Sequence, residues 1–146
     1  MQKPSPLCFH YAFAVDDLKR AESFYATLLG CAVGRRTERW IDFDFFGHQL
    51  TAHLADSVPA RQENSVDGDS VPVPHFGVAL SMELWRDLGD RLRAQGAVFL
   101  ITPRIRFAGL AAEQGTFFLK DPAGNALEFK GISTSADMFA AVDVSE

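Results

Sequence analysis

Two histidines open two similar strand-like segments, and a glutamate lies on the matching face of a third segment. His10 leads the segment HYAFAV and His75 leads HFGVAL. Because alternate residues of a strand share a face, each imidazole lies beside small Ala or Gly residues, and the large apolar residues occupy the opposite face. The same alternation puts Glu128, in the segment 125–130, on the side of His75. Two imidazoles and a carboxylate on one open face could bind a divalent metal ion and leave room for a substrate.

The elements that must position these residues form an internal repeat. After each histidine segment come an acidic or serine cap, apolar residues at helical spacing and a glycine stop, followed by three further strand-like segments. Gly30 follows His10 at nearly the same interval as Gly96 follows His75. Landmarks that keep the same spacing indicate a repeated unit. The sequence therefore predicts the α+β fold class, with two βαβββ units.

One domain of two repeats, residues 1–146, is the expected organisation for a chain of this length, although two small half-domains would also fit. A polar segment rich in Asp, Ser and Pro separates the repeats, and the second repeat contains a longer internal loop at 102–115. The expected parts are a first unit at 7–54, a linker at 55–73, a second unit at 74–132 and a tail at 133–146 with a short helix around 137–142.

The composition argues against several classes of function. The net charge of -5 and the pI near 5.3, with no run of Lys or Arg, disfavour a nucleic-acid-binding surface. No apolar run approaches the roughly 18 residues needed to cross a bilayer, and the first residues lack the features of a signal peptide. Two cysteines, Cys8 and Cys31, do not suggest a disulfide framework. These features indicate a cytoplasmic protein with reduced thiols that binds neither nucleic acid nor membrane.

The chain resembles the vicinal oxygen chelate superfamily, which includes glyoxalase I, extradiol dioxygenases, fosfomycin-resistance enzymes and bleomycin-binding proteins. The most specific match is the stretch Asp-Pro-x-Gly-Asn-x-Leu-Glu at 121–128, and the matching segments together are 9–18, 24–30, 74–78 and 118–129. The resemblance implies eight strands in a partly open barrel around a metal ion, a small-molecule substrate and a homodimer. Carried over residue by residue, it implies that the metal ligands are His10, His75 and Glu128.

A fourth ligand position of that family departs from the pattern. Aligning the two repeats by their turn glycines places Thr51 where Glu128 stands in the second repeat. Gln49 and His53 share the face of Thr51, so a slip of two residues would bring either one to this position. A Glu or His there would imply a site of the glyoxalase or fosfomycin type. A threonine leaves two histidines and one carboxylate, which is similar to the extradiol dioxygenases.

The leading functional hypothesis is a metal-dependent dioxygenase that acts on a small diol or catechol-like substrate. Fe2+ or Mn2+ is the favoured ion in that case, and His53 is the candidate acid/base residue. One alternative is a glyoxalase-like lyase or isomerase in which Zn2+, Ni2+ or Co2+ acts as a Lewis acid. Another is a non-catalytic protein that binds and sequesters an aromatic or drug-like molecule, as bleomycin-binding proteins do.

Four further side chains are candidate substrate-binding residues. Arg104 and Arg106 share a face if their loop is extended, and they could hold an anionic substrate. Lys130 shares the face of Glu128, where it is equally a salt-bridge partner. Gln114 is the fourth candidate. Structural roles are expected for the residues His48, Trp40, Phe46 and Phe118.

Overall fold

The computed structural model describes residues 3–59, 62–66 and 68–139 of the chain. The chain divides into two compact units, Met1–Pro59 and Ala60–Glu146, and each unit contains one four-stranded sheet. This confirms the predicted α+β fold class, while closure of the eight strands into a barrel stays a prediction. Within the described ranges, the helices are too short and too polar to cross a bilayer.

The first unit follows the order strand, helix, strand, strand, strand. Its elements are β1 (His10–Val15), α1 (Leu18–Glu22), a π-helical turn (Ser23–Leu28), β2 (Ala32–Arg36), β3 (Trp40–Phe45) and β4 (His48–Leu54). The Asp17 carboxylate caps α1 by accepting the backbone N–H of Arg20 at 3.0 Å. Gly30 ends the helical segment with a φ of 81°. The strands lie in the order β1-β4-β3-β2, with β1 parallel to β4.

The second unit repeats this topology after an additional hairpin. Its elements are β5 (Gln62–Val66), β6 (Asp69–Val73), β7 (Phe76–Ser81), α2 (Met82–Ala94), β8 (Phe99–Arg106), β9 (Gln114–Lys120), β10 (Ala126–Ile132) and a short 3-10 helix (Asp137–Phe139). The main sheet has the order β7-β10-β9-β8, with β7 parallel to β10. The two sheets share one topology, as expected of an internal repeat.

Three segments differ from the sequence-based expectation. The expected linker 55–73 contains the antiparallel hairpin of β5 and β6, in which Val71 is buried. Half of the expected loop 102–115 is strand, because β8 extends to Arg106 and β9 begins at Gln114. Pro103 is tolerated because β8 is an edge strand, and its pairing with β9 is irregular between Ile101 and Arg104. The tail forms a 3-10 turn at 137–139, and the rest of its expected helix lies outside the described residues.

An aromatic cluster around Tyr25 covers one side of the first sheet. The buried Tyr25 ring lies 5.4 Å from Phe13, 4.9 Å from Phe24 and 5.2 Å from Phe43, measured between ring centroids. Because the large residues of β1 and β3 fill this side, the small and polar residues of the same strands remain on the other face. That other face carries His10.

Trp85 of α2 has the corresponding role in the second unit. Its ring centroid lies 5.9 Å from that of Phe117, and its Nε1–H donates to the backbone oxygen of Phe129 at 2.9 Å. The ring lies directly on the sheet at Gly115 and Gly131, where a Cβ atom would come within 2.8 Å of it. The helix thus covers one face of the sheet and leaves the opposite face open.

Candidate functional site

His75 and Glu128 meet on the face of the second sheet that α2 does not cover. His75 directly precedes β7, Glu128 lies in β10, and these strands are parallel neighbours. The His75 Nε2 atom lies 3.2 Å from Glu128 Oε1, although the two residues are 53 positions apart in the chain. The structure therefore brings together two of the three predicted metal ligands.

Gly77 permits this approach because it has no side chain. It is paired with Glu128 in the register of β7 and β10. A Cβ atom on residue 77 would overlap the carbonyl oxygen of Glu128 and lie 2.6 Å from its carbonyl carbon. The small residue that was predicted to leave space beside the histidine therefore also sets the spacing of the two strands.

The His75 ring is held in one orientation by its neighbours. Its Nδ1–H donates to the backbone oxygen of Pro72 at 2.7 Å, and the ring packs edge-on against Phe118 with 5.1 Å between centroids. These contacts direct Nε2 towards Glu128. The hydrogen bond to Glu128 raises the pKa of His75 above its ordinary value of 6.5, although burial acts in the opposite direction. His75 therefore keeps its proton to a higher pH than an ordinary imidazole, and the protonated Nε2 then donates to the carboxylate.

Glu128 is a buried carboxylate with partners on both oxygens. Thr116 donates its hydroxyl to Oε2 at 2.7 Å, and Lys130 Nζ lies 4.0 Å from Oε1, farther away than His75. Burial by itself would raise the pKa of Glu128, but the hydrogen bonds from His75 and Thr116 and the charge of Lys130 outweigh it, so the pKa lies below the ordinary 4.5. Glu128 is therefore ionised at neutral pH, as a metal ligand must be.

The turn 121–125 fixes the point at which β10 begins. One Asp121 oxygen accepts two backbone N–H groups of the turn at 3.0 and 2.8 Å, and the other accepts the side-chain N–H of Asn125 at 2.9 Å. Gly124 completes the turn with a φ of 88°. The most specific stretch of the sequence pattern thus positions the strand that carries Glu128.

A cavity of about 260 Å³ lies beside the histidine–glutamate pair. Its lining includes His75, Gly77, Ala79, Glu128, Lys130 and Met138. Lys130 lines this cavity, and its role in substrate binding stays a prediction. Met138 comes from the 3-10 turn of the tail. It is not among the predicted site residues, because an apolar residue in a tail does not by itself indicate a binding role.

The donor atoms of this pair fit a divalent metal ion. Two ligands bound about 2.1 Å from a metal and at right angles are separated by about 3 Å, and Nε2 and Oε1 are 3.2 Å apart. The Pro72 carbonyl holds the proton on Nδ1, which leaves Nε2 as the nitrogen that can bind a metal. A cation in the place of the Nε2 proton would satisfy the same two atoms, so His75 and Glu128 could hold a metal ion.

The first unit has a threonine at the position of Glu128. Ala12 is paired with Thr51 in β1 and β4, just as Gly77 is paired with Glu128 in β7 and β10. This register agrees with the alignment of the two repeats by their turn glycines. Thr51 thus stands at the position equivalent to Glu128, and no slip of two residues separates the two repeats.

Thr51 is hydrogen-bonded to the carboxylate of Asp42, which is not among the residues predicted from the sequence. Its hydroxyl donates to Asp42 Oδ1 at 2.7 Å, while Arg35 and Gln49 donate to Oδ2 at 3.2 and 3.3 Å. Asp42 is buried at 5% exposure. The alternation of WIDFDF in β3 could have revealed it, because it puts Asp42 on the face opposite the aromatic cluster.

The two remaining histidine candidates lie in the first unit. His10 begins β1 and is paired with Gln49, and His53 lies in β4 and is paired with Ala14; both histidines are exposed and share the face of Thr51. Within either unit, the described His, Cys, Asp and Glu side chains do not form a group of three or more that could hold a metal. The roles of His10 as a ligand and of His53 as an acid/base residue therefore stay predictions.

The other predicted substrate-binding residues lie in β8 and β9. Arg104 and Arg106 belong to the edge strand β8 and not to a loop. Arg104 forms an ion pair with Asp69 and so connects β8 to β6. Arg106 is 7% exposed, and its guanidinium lies 5.2 Å from the centre of a neighbouring phenylalanine ring. Gln114 begins β9 opposite Arg106. These contacts give both arginines structural partners.

Comparisons with known proteins agree with this architecture. The model of the Glyoxalase/Bleomycin resistance protein/Dioxygenase superfamily matches residues 8–129. A crystal structure of a glyoxalase/bleomycin resistance protein/dioxygenase from Alicyclobacillus acidocaldarius is 36% identical, with a TM-score of 0.76 over 95% of this chain and 100% of that chain.

Two solved structures of lower identity share the fold. A fosfomycin resistance protein from Listeria monocytogenes is 18% identical, with a TM-score of 0.65 over 94% of this chain and 98% of that chain. A lactoylglutathione lyase from Agrobacterium tumefaciens is 17% identical, with a TM-score of 0.63 over 96% of this chain and 100% of that chain. No curated protein sequence matches the chain significantly.

Proposed function

Because this chain belongs to the Glyoxalase/Bleomycin resistance protein/Dioxygenase superfamily, we propose that it is a metal-dependent enzyme whose small substrate carries two neighbouring oxygen atoms. The pairing of His75 Nε2 with Glu128 Oε1 at 3.2 Å beside a cavity is the observation that carries this proposal. The reaction that we favour is the dioxygenation of a diol or catechol-like substrate. A homodimer and a cytoplasmic location remain part of the proposal.

The residues of the second unit have distinct roles in this site. His75 binds the metal through Nε2, and the Pro72 carbonyl keeps the other nitrogen protonated and the ring fixed. Glu128 binds through Oε1, because Thr116 occupies Oε2. Lys130, next to Oε1, attracts a substrate oxygen that has lost its proton. His10 is the third ligand and His53 the acid/base residue, as the sequence predicts.

The threonine at position 51 supports a dioxygenase over a site with a second carboxylate ligand. Its hydroxyl is a poor ligand and is donated to Asp42. Two histidines and one carboxylate are the ligand set that suits Fe2+ or Mn2+ in enzymes that use dioxygen. When bound, such an ion supplies a template for two neighbouring substrate oxygens and a path for electrons to dioxygen.

Metal binding can be tested with variants that change one ligand at a time. We expect Mn2+ to bind the wild-type protein in a calorimetric titration, and Glu128→Gln or His75→Gln to weaken binding by roughly a hundredfold or more. Glu113→Gln, which changes an exposed carboxylate outside the cavity, serves as the control. His10→Ala tests the third ligand. If the Glu128 and His75 variants keep wild-type Mn2+ affinity, the assigned site is wrong.

The reaction can then be tested by dioxygen uptake. The Fe2+- or Mn2+-loaded protein should consume dioxygen in the presence of catechols, and Glu128→Gln should not. Metal binding without dioxygen uptake, together with activation by Zn2+, Ni2+ or Co2+, would instead favour the lyase or isomerase alternative.

One structural observation favours a second candidate, a non-catalytic small-molecule-binding protein. The carboxylate of Glu128 already has the imidazole of His75 and the ammonium group of Lys130 beside it, so its charge is compensated without any added cation. A protein that binds no divalent ion but binds aromatic compounds in this cavity would be a binding or resistance protein. The Mn2+ titration described above therefore also separates the enzyme from the binder.

A further inference from the structure

A second cavity continues along the same face of the second sheet. It measures about 450 Å³ and lies at the carboxyl ends of β7 and β10, where Ser81 is paired with Ile132. Ala79 and Met138 line both this cavity and the one beside His75. The two cavities therefore follow one another along the strands, and Ala79 and Met138 mark the junction between them.

The two cavities differ in chemistry. The first contains the polar groups of His75, Glu128 and Lys130. The described residues that line the second carry no ionisable side chain, and its apolar residues on this face of the strands and in the tail are Ala79, Ile132, Met138 and Phe139. Phe139 is 88% exposed and Met138 is 37% exposed. Apolar side chains left open at the edge of a polar cavity are typical of a ligand-binding surface.

Hydrogen bonds within the tail define the turn that carries Met138. The Thr134 hydroxyl donates to Asp137 Oδ2 at 2.7 Å, and the Asp137 backbone N–H donates to the Thr134 backbone oxygen at 3.1 Å. These two hydrogen bonds lie at the start of the 3-10 turn that carries Met138 and Phe139. The apolar residues that the tail contributes therefore lie on a defined turn of the chain.

We infer that the substrate of the proposed enzyme is amphiphilic, with its two oxygens at the His75–Glu128 pair and an apolar alkyl or aryl group in the second cavity. The inference rests on the proposed function for the position of the oxygens. The strands rise about 3.3 Å per residue, so the junction at Lys130 lies about 7 Å beyond Glu128 and Ile132 about 13 Å beyond it. A substituent must therefore reach about 7 Å before it enters the apolar cavity.

Calorimetric titration with catechol, 4-methylcatechol, 4-hexylcatechol and 4-octylcatechol tests this geometry in the Mn2+-loaded protein. The methyl group stays in the first cavity and should change the affinity little. Each methylene that enters the second cavity should raise the affinity by about threefold to fourfold. An affinity that does not change with chain length would overturn the inference.

Two variants test whether the gain in affinity with chain length arises in the second cavity. Met138→Glu puts a charge at the junction and Ala79→Leu fills it, so each should reduce the ratio of octyl to methyl affinity at least tenfold. Val98→Glu changes an apolar residue that is 87% exposed and lines neither cavity, and it should leave the ratio unchanged. If both junction variants keep the wild-type ratio, the alkyl chain binds elsewhere and the inference is wrong.

The same titrations in metal-free protein separate this inference from the proposed function. Dependence on chain length that persists in protein unable to bind Mn2+ would uphold the apolar cavity while the metal proposal fails. Wild-type protein that binds Mn2+ but shows no dependence on chain length would uphold the metal site and overturn the amphiphilic substrate.

Discussion

Replacing Gly77 by alanine tests the strand contact that brings His75 and Glu128 together. The new Cβ atom would lie 2.6 Å from the carbonyl carbon of Glu128 and 3.0 Å from its backbone nitrogen, whereas ordinary contacts begin at 3.4 Å. β10 must therefore move away from β7 by about 1 Å, because closely packed atoms cannot overlap. The 3.2 Å contact between His75 and Glu128 is already long for a hydrogen bond, so the same movement breaks it.

The expected cost follows from these two effects. Overpacking a close contact costs about 1–3 kcal/mol, and a buried carboxylate that loses a charged partner costs about 1–3 kcal/mol more. Gly77→Ala should thus lower the free energy of unfolding by about 2–6 kcal/mol. It should also weaken Mn2+ binding by roughly tenfold or more, because the two ligand atoms separate.

Urea unfolding and Mn2+ calorimetry measure the two effects, and two variants serve as controls. Gly89→Ala adds a methyl group inside α2 whose nearest neighbour would be at 3.5 Å, so it should be neutral or stabilise by up to about 1 kcal/mol. Ala12→Gly alters the equivalent position of the first unit, where the strand spacing already accommodates a Cβ atom. It should cost only about 0.5–1 kcal/mol.

A Gly77→Ala protein with wild-type stability would show that β7 and β10 do not approach each other closely at this residue. The physical argument for the joint position of His75 and Glu128 would then fail. A variant that loses stability but keeps wild-type Mn2+ affinity would show that the metal site does not depend on this register.

Two further predictions concern the partners of Glu128. Thr116→Val removes the hydroxyl bonded to Glu128 Oε2 at 2.7 Å, so we expect a loss of about 1–3 kcal/mol in unfolding free energy and Mn2+ binding roughly 10–100-fold weaker. The control Thr51→Val should cost similar stability with no change in Mn2+ affinity. If both variants weaken Mn2+ binding equally, the assignment of the site to Glu128 is wrong. In metal-free protein, the raised pKa of His75 stabilises the fold below pH 6.5, and this stabilisation is lost as the pH rises through the folded-state pKa of His75. The lowered pKa of Glu128 stabilises the fold above pH 4.5, and this stabilisation is lost as the pH falls through the folded-state pKa of Glu128. Urea unfolding of the wild type and His75→Gln should therefore differ most between pH 4.5 and 6.5, and a difference that does not change with pH would refute the coupling.

The parts of the fold that local chemistry determines could be predicted from the sequence. Asp17 and Ser81 cap the helices through contacts three residues ahead, at 3.0 and 3.2 Å, and Gly30 and Gly96 end the helical segments with positive φ. The hairpin in 55–73 and the extension of β8 could not be predicted. Their polar and proline residues are typical of loops, and they become strands through pairing with distant segments.

The two central side chains of the candidate site could be predicted from local sequence patterns. Strand alternation and the repeat identified His75 and Glu128, because both depend on a period of two residues. The groups that orient them could not be predicted. The Pro72 carbonyl is a backbone atom with no signature in the side-chain pattern, and the position of Met138 depends on where the tail folds back. Such contacts arise only when segments distant in the chain pack together.

Each unit buries a carboxylate that accepts a hydrogen bond from a threonine hydroxyl. The third strand of one main sheet carries the residue type that the fourth strand carries in the other. In the second unit the carboxylate, Glu128, lies on β10 and its threonine on β9, whereas in the first the carboxylate, Asp42, lies on β3 and Thr51 on β4. The exchange leaves one Glu128 oxygen open to a histidine and a cavity, while both Asp42 oxygens are occupied by donors of their own unit, Arg35 among them.

This exchange explains why the first unit, which repeats the fold of the second, has no carboxylate at the position equivalent to Glu128. Asp42 is paired directly across the strands with Thr51, and like charges in directly opposite positions destabilise a sheet. A glutamate at position 51 would therefore face the buried Asp42 carboxylate. The first unit can carry a carboxylate ligand on β4 only if Asp42 is lost from β3, so the threonine that departs from the family pattern and the aspartate opposite it form one physical unit.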